Sequence, residues 1–139
     1  MFDTVATFAT GTFFGAAAFI SIVQHPAAVE TDPAFAVRFF APMYRRAAPM
    51  QAGLAMTGTF AGAGAWLSGS GTGFGVAAAL LFAVVPFTLV VMKPINDRLI
   101  ASGQGADVPG TAELLRRWAA LHAVRSLLSG LAFLVLLGA

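Results

Sequence analysis

Residues 117–139 read "RWAALHAVRSLLSGLAFLVLLGA", and this C-terminal stretch combines two features that rarely occur together. After Arg125 it is an uncharged, apolar run typical of a helix that is buried on all sides. Yet Trp118, His122 and Arg125 are spaced i, i+4 and i+7, so they share one face of that helix. Because an arginine inside an apolar span costs several kcal/mol unless it is paired or reaches an interface, this face is predicted to point into a helix bundle.

The composition indicates an integral membrane protein. Charged residues make up 10% of the chain, against about 25% in a typical soluble domain, and 58% of the residues are apolar. A soluble chain of this size needs more charge to cover its surface. The absence of cysteine excludes disulfides and thiolate metal sites. A net charge of only +2 gives no basic patch for nucleic acid, so the expected partner is the lipid bilayer.

Uncharged runs divide the chain into spans of about twenty residues, the length of a helix that crosses a bilayer. The longest run is split by "SGSGTG" at 68–73, which has the composition of a turn. The predicted fold is all-α, an integral membrane four-helix bundle with up-down-up-down topology, formed by the whole chain, 1–139, as one domain. The expected spans are 4–24, 48–67, 74–92 and 115–137.

Prolines and capping residues predict where these helices begin and end. Asp32 followed by Pro33 is typical of an N-cap and a first-turn proline, so a short interfacial helix is expected over 33–41, between spans one and two. Pro42 and Pro49 are expected to limit or kink the helix that enters span two.

The last two spans carry similar signals. Pro86 is expected to kink span three or to mark a cavity, and Pro94 to break that helix. Thr111 is the predicted N-cap of the last helix, with Glu113 in its first turn.

The distribution of basic residues predicts the orientation of the bundle. Seven of the eight lie in or beside the polar connections 25–46 and 93–117, and the positive-inside rule puts these segments in the cytoplasm. Both termini are then outside, and a bacterial inner membrane is the expected location. The seven residues are Arg38, Arg45, Arg46, Lys93, Arg98, Arg116 and Arg117.

Small residues at i and i+4 predict close contacts between helices, because lipid does not drive apolar helices together as water does. The same motifs could support a homo-oligomer. Such pairs are Gly11 with Gly15, Gly58 with Gly62, and Ser126 with Gly130.

All four predicted spans bring polar side chains to the same end of the bundle, whereas the opposite end receives almost none. A bundle that is apolar inside and polar at one mouth suits a hydrophobic small molecule with one or two oxygens. Besides the stripe on span four, the residues expected at this mouth are His25, Tyr44, Arg45, Asn96 and Arg98.

Four motifs in this order resemble the anthrone oxygenase-like family of small membrane proteins. They are "HPA" at 25–27, "YRR" at 44–46, "KPINDRL" at 93–99 and "LLRRWAALHAVRSLLS" at 114–129. The resemblance covers nearly the whole chain. It implies oxidation of an anthrone to an anthraquinone by molecular oxygen.

On this resemblance a reaction without a cofactor is expected. A neutral imidazole, that of His122 or His25, would remove a proton from the substrate, and Arg125 and Asn96 would hold the developing oxyanion. The residues expected to bind the substrate are Trp118, Tyr44, Arg98 and Arg45.

Other interpretations stay open at this stage. The chain could be a structural or assembly membrane protein without a reaction, or a redox protein whose His25 and His122 bind haem or another metal. A multidrug-type transporter is disfavoured, because every acidic residue lies outside the apolar runs. Taken singly, His122 could be a core histidine, Arg125 could reach past Trp118 to the interface, and Trp118 could belong to an aromatic belt.

Overall fold

A computed structural model describes all residues, Met1–Ala139, and consists of four continuous helices joined by short connections. The connections are Asp32 alone, the turn 68–71 and the loop 104–110. The four helices are α1 (Phe2–Thr31), α2 (Pro33–Leu67), α3 (Thr72–Gly103) and α4 (Thr111–Leu137).

Side-chain contacts between neighbouring helices define an antiparallel bundle. Thr10 of α1 meets Gly58 of α2, while Phe2 meets Gly64, so these two helices run in opposite directions. The same holds for α2 with α3, where Gly62 meets Ala78 and Val37 meets Gly103. It also holds for α3 with α4, where Gly73 meets Ala139 and Asn96 meets Trp118, and α4 closes the bundle against α1. The all-α, up-down-up-down four-helix bundle predicted from the sequence is therefore confirmed, and both charged connections lie at one end of it.

Three of the four helices, α1, α3 and α4, are long and apolar enough to cross a membrane. Large apolar side chains on every helix are exposed, Phe8, Phe60, Val90 and Leu134 among them, which is the surface expected of a protein embedded in lipid. The helix α2, which contains the predicted span 48–67, is not among these three. Residues 48–67 include Gln51 and several glycine and threonine residues, which lower the mean hydropathy.

Two π-helical turns carry α1 and α3 past prolines that would otherwise interrupt them. The turns are Ile20–Gln24 and Thr88–Met92, and Pro26 and Pro94 follow each by two residues. A proline has no N–H and clashes with the carbonyl four residues back. In both helices the N–H of the residue before the proline instead reaches the carbonyl five residues back. The prediction that Pro94 breaks the helix is therefore wrong, and α3 continues to Gly103.

The helix α2 also continues where a boundary was expected. Asp32 caps it as predicted, since its two carboxylate oxygens accept hydrogen bonds from the N–H groups of Ala34 and Phe35, both at 3.1 Å. The expected short helix over 33–41 is not separate, because residues 33–67 form a single helix that contains Pro42 and Pro49.

The N-cap of α4 lies one residue before the predicted position. Gly110, with φ 73°, is the N-cap, and Thr111 is the first helical residue. The Thr111 hydroxyl donates to the carbonyl of Val108 at 2.6 Å instead of capping the helix. Glu113 does lie in the first turn, where it pairs with Arg116.

The predicted small-residue contacts are found at most of the glycine motifs. A Cβ atom added at Gly58 would lie 2.5 Å from the side chain of Leu81 and 2.9 Å from the Thr10 hydroxyl oxygen. One added at Gly62 would lie 3.1 Å from the Phe74 carbonyl oxygen. Gly11 and Gly130 are similarly close to phenylalanine rings, whereas Gly15 has no neighbour within 4 Å.

Gly58→Leu is expected to destabilise the bundle by about 1–3 kcal/mol through overpacking. Gly15→Leu is the matched control, because it makes the same change in helix propensity at a position with open space. Thermal unfolding in detergent, followed by circular dichroism, measures both. Equal midpoints for the two variants would contradict the close contact at Gly58.

Candidate functional site

The polar stripe of α4 faces the interior of the bundle, as its spacing predicts. Trp118, His122 and Arg125 are all buried, with 3%, 2% and 8% of their surface exposed. The other seven basic side chains of the protein are exposed. Arg125 is therefore the one cation that the fold buries.

Trp118 is held in place from several sides. Its indole N–H donates to Asn96 Oδ1 at 2.8 Å, and Phe40 meets the indole edge-on with ring centroids 5.2 Å apart. The rings of His122 and His25 pack against the same indole at 4.6 and 4.9 Å. Trp118 is thus part of the core and does not belong to a lipid-facing aromatic belt.

Arg125 does not reach towards the helix end. Its guanidinium donates to Gln51 Oε1 on α2 at 2.8 Å, and its Cζ lies 5.5 Å from the centre of the Phe13 ring, close enough for a cation–π contact. No carboxylate pairs with it. The positive charge is stabilised only by an amide oxygen and an aromatic face.

His122 is anchored through one ring nitrogen. Its Nδ1 lies 2.9 Å from the hydroxyl of Ser21, which belongs to the π turn of α1. Its Nε2 makes no hydrogen bond with the protein. This second nitrogen is available to a bound molecule.

These side chains line a cavity of about 120 Å³ between the four helices. Most of its wall is apolar, and it extends from the end of the bundle near the charged connections towards Phe13 and Ala55 in the middle. The cavity lies deeper than the rim site expected from the sequence. Its polar lining residues are Tyr44, Gln51, Thr88, Asn96, His122 and Arg125.

Three hydrogen-bond donors in this lining have no partner in the protein. They are Gln51 Nε2, Asn96 Nδ2 and Arg125 Nε, and each is buried. Leaving such a group unpaired costs about 1–3 kcal/mol, and buried polar groups are almost always satisfied in native proteins. All three belong to residues that line the same cavity, which indicates a site for a molecule or water that offers hydrogen-bond acceptors.

One side of the cavity opens between α2 and α3. Ala48 and Ala52, one turn apart on α2, lie along this edge, as do Val85 and Leu89, one turn apart on α3. Ala52 and Leu89 are exposed on the apolar flank of the bundle. The opening is therefore lateral, and apolar side chains form its rim.

The structure brings together five of the eight predicted site residues. Those that line the cavity are His122, Arg125, Asn96, Trp118 and Tyr44, whereas His25, Arg45 and Arg98 do not. His25 packs against Trp118 outside the cavity. Arg45 is exposed, and Arg98 is exposed with a contact of 3.4 Å to the Pro109 carbonyl.

Sequence reasoning missed three polar residues of the site. Gln51 had a signal, because it is the sole amide side chain in the uncharged run 47–92, and polar residues within spans are costly and functional. Ser21 and Thr88 had none, since serine and threonine also occur in apolar helices as neutral side chains that bond their own backbone.

No group of three or more histidine, aspartate or glutamate side chains is arranged to hold a metal ion. The sequence suggested a redox alternative in which His25 and His122 bind haem or another metal. That alternative stays a prediction, and it rests on these two residues alone.

The fold and the cavity define a class: a small, apolar four-helix protein that encloses a mostly apolar cavity, with a histidine, an arginine and two amides in its wall. Comparison with known proteins gives the family. Residues 40–135 match the anthrone oxygenase family, and the chain belongs to it. The protein is similar to the anthrone oxygenase tpcL of Aspergillus fumigatus, with 34% identity over 129 residues that cover 85% of this chain and 80% of the relative. No solved structure matches the chain.

Proposed function

We propose that this protein binds a hydrophobic aromatic ketone of the anthrone type in the cavity and oxidises it with molecular oxygen. The observation that carries the proposal is the set of three unpaired donors, Gln51 Nε2, Asn96 Nδ2 and Arg125 Nε, which belong to residues that line one cavity together with His122. Such donors suit an oxygen on which negative charge develops, and an unprotonated imidazole nitrogen suits the removal of a proton. Family membership supports the same reaction.

Each residue has a distinct part in the proposed reaction. His122 removes a proton from the CH₂ group that lies between the two aromatic rings of the substrate. Arg125 and Asn96 hold the oxygen at the opposite side of the central ring, where the negative charge of the enolate collects. Trp118 and Tyr44 fix the plane of the ring system, and the apolar wall excludes water.

The oxidation balances without a further reactant. The enolate transfers electrons to O₂, and a carbon–oxygen bond forms to give a peroxide, which takes up the proton held by His122. Loss of the remaining hydrogen on that carbon as a proton, with cleavage of the O–O bond, leaves a new C=O group and releases water. One anthrone and one O₂ thus give one anthraquinone and one water.

The cavity volume of about 120 Å³ is below the range of about 300–1,000 Å³ usual for ligand sites. A flat tricyclic molecule must therefore extend into the lateral opening between α2 and α3. Ala48 and Ala52 leave room for it on one side. The expected substrate is planar, with its polar oxygen directed inward.

The test is turnover of anthrone by purified protein in lipid nanodiscs under ¹⁸O₂. The expected result is oxygen consumption equal to the anthraquinone formed, with one ¹⁸O atom in the new carbonyl. Anthrone also oxidises slowly in air, so empty nanodiscs and an Arg46→Gln variant are run in parallel. Arg46 is exposed and outside the cavity, and this variant is expected to match the unaltered protein. A rate equal to that of empty nanodiscs would overturn the proposal.

We also propose that the charged end of the bundle faces the cytoplasm of a bacterial cell and that both termini lie outside. The exposed basic residues of the two connections at that end support this orientation. A C-terminal reporter that is active only in the cytoplasm is expected to be inactive on this protein, and an active one would reverse the orientation.

A further inference from the structure

Ser21 and Ser126 connect His122 to its own backbone in a short chain of hydrogen bonds. Ser21 Oγ lies 2.9 Å from His122 Nδ1 and 2.9 Å from Ser126 Oγ. Ser126 Oγ in turn lies 3.2 Å from the His122 carbonyl oxygen. Ser21 is on α1 and the other two residues are on α4, so the chain crosses between helices.

The direction of this chain follows from counting protons. A carbonyl oxygen can only accept a hydrogen bond, so the Ser126 hydroxyl donates its single proton to the carbonyl oxygen of His122. In the contact between the two serines, Ser126 Oγ must therefore accept, and the Ser21 hydroxyl donates its single proton there. With its proton already donated, Ser21 Oγ can only accept from His122 Nδ1. The neutral imidazole of His122 must then carry its proton on Nδ1.

The opposite direction costs the hydrogen bond from Ser126 to the His122 carbonyl oxygen. If Ser21 donated to Nδ1, the proton of His122 would lie on Nε2, which makes no hydrogen bond with the protein. Ser126 would then have to donate to Ser21, so it could no longer donate to the carbonyl oxygen of His122.

We infer that Ser21 and Ser126 are positioning residues that hold His122 in its Nδ1–H form, which leaves the lone pair of Nε2 free towards the cavity. The base role of His122 rests on the proposed function, but the tautomer does not. In free histidine the Nε2–H form predominates, so without this chain most of the imidazole would present an N–H where the reaction needs a base.

Nitrogen-15 NMR of protein labelled at histidine tests the inference directly. The protein has only two histidines, so the spectrum of a His25→Gln variant identifies the signals that belong to His122. The expected spectrum shows a pyrrole-type Nδ1 and a pyridine-type Nε2. In Ser21→Ala, the two nitrogens are expected to move towards exchange-averaged or reversed shifts, and Ser21→Thr should restore the original pattern.

Thr12→Ala is the matched control, because it removes a hydroxyl of α1 that bonds only the Phe8 carbonyl. It should leave the histidine spectrum unchanged. An Nε2–H form in the unaltered protein, or a Ser21→Ala spectrum identical to it, would overturn the inference. The expected tautomer together with absent anthrone turnover would overturn the proposed function and leave this inference intact.

Discussion

His122→Gln is expected to lower kcat for anthrone oxidation by about 10²–10⁴-fold, the usual contribution of a general base. Glutamine has nearly the size of histidine and can still bond Ser21, but it cannot take up a proton. The binding of substrate depends on the rest of the cavity, so KM should change far less than kcat. Initial rates of anthraquinone formation at several substrate concentrations separate the two constants.

The same measurement on His25→Gln decides between the two histidines that the sequence left as candidates. His25 packs against Trp118 but does not line the cavity, so its replacement should cost less than tenfold. A loss in His25→Gln equal to that in His122→Gln would contradict the assignment of the base. Circular dichroism is the control, and it should show that both variants are folded.

Arg125→Met is expected to lower kcat/KM by about 10²–10³-fold, the cost of removing one donor from an oxyanion site. Methionine keeps an unbranched side chain of similar length but carries no charge. It also leaves Gln51 Oε1, which accepts from Arg125 at 2.8 Å, without a partner in a buried position. The single variant should therefore be less stable as well as less active.

A double variant separates these two effects. In Arg125→Met with Gln51→Leu, both partners of the hydrogen bond are gone, and the penalty for an unsatisfied group disappears. Thermal stability should recover most of its loss, while activity stays low because the double variant lacks both the cation and the Gln51 donor. If activity recovers together with stability, Arg125 serves only to hold α4 against α2.

The sequence predicted the site best on α4, where all the residues needed for the prediction lie on a single helix. The spacing of Trp118, His122 and Arg125 is enough to put them on one face, and an arginine in an apolar helix must find a partner. These two arguments predicted the buried stripe and the bundle. The identity of the partner could not follow from them, because Gln51 lies on another helix and the register between α2 and α4 depends on tertiary packing.

Helix boundaries were the weakest sequence predictions, and the prolines explain why. Pro94 was expected to end a helix, and Pro42 to limit another, because a proline interior to a helix costs one hydrogen bond. In α3 a π turn shifts the hydrogen bonds around the proline, and in α2 the helix is continuous. Nothing in the local sequence distinguishes a proline that stops a helix from one that the fold accommodates.

The lateral opening between α2 and α3 changes which concentration governs the proposed reaction. A substrate that enters past Ala52 and Leu89 first dissolves among the acyl chains around the bundle, so the rate of the proposed reaction is expected to follow the mole fraction of substrate in the lipid. Extra lipid then acts as a diluent, even when the total amount of substrate in the sample is constant. The product of the proposed reaction leaves into the same phase, so the bilayer is expected to act as the reservoir for substrate and product alike.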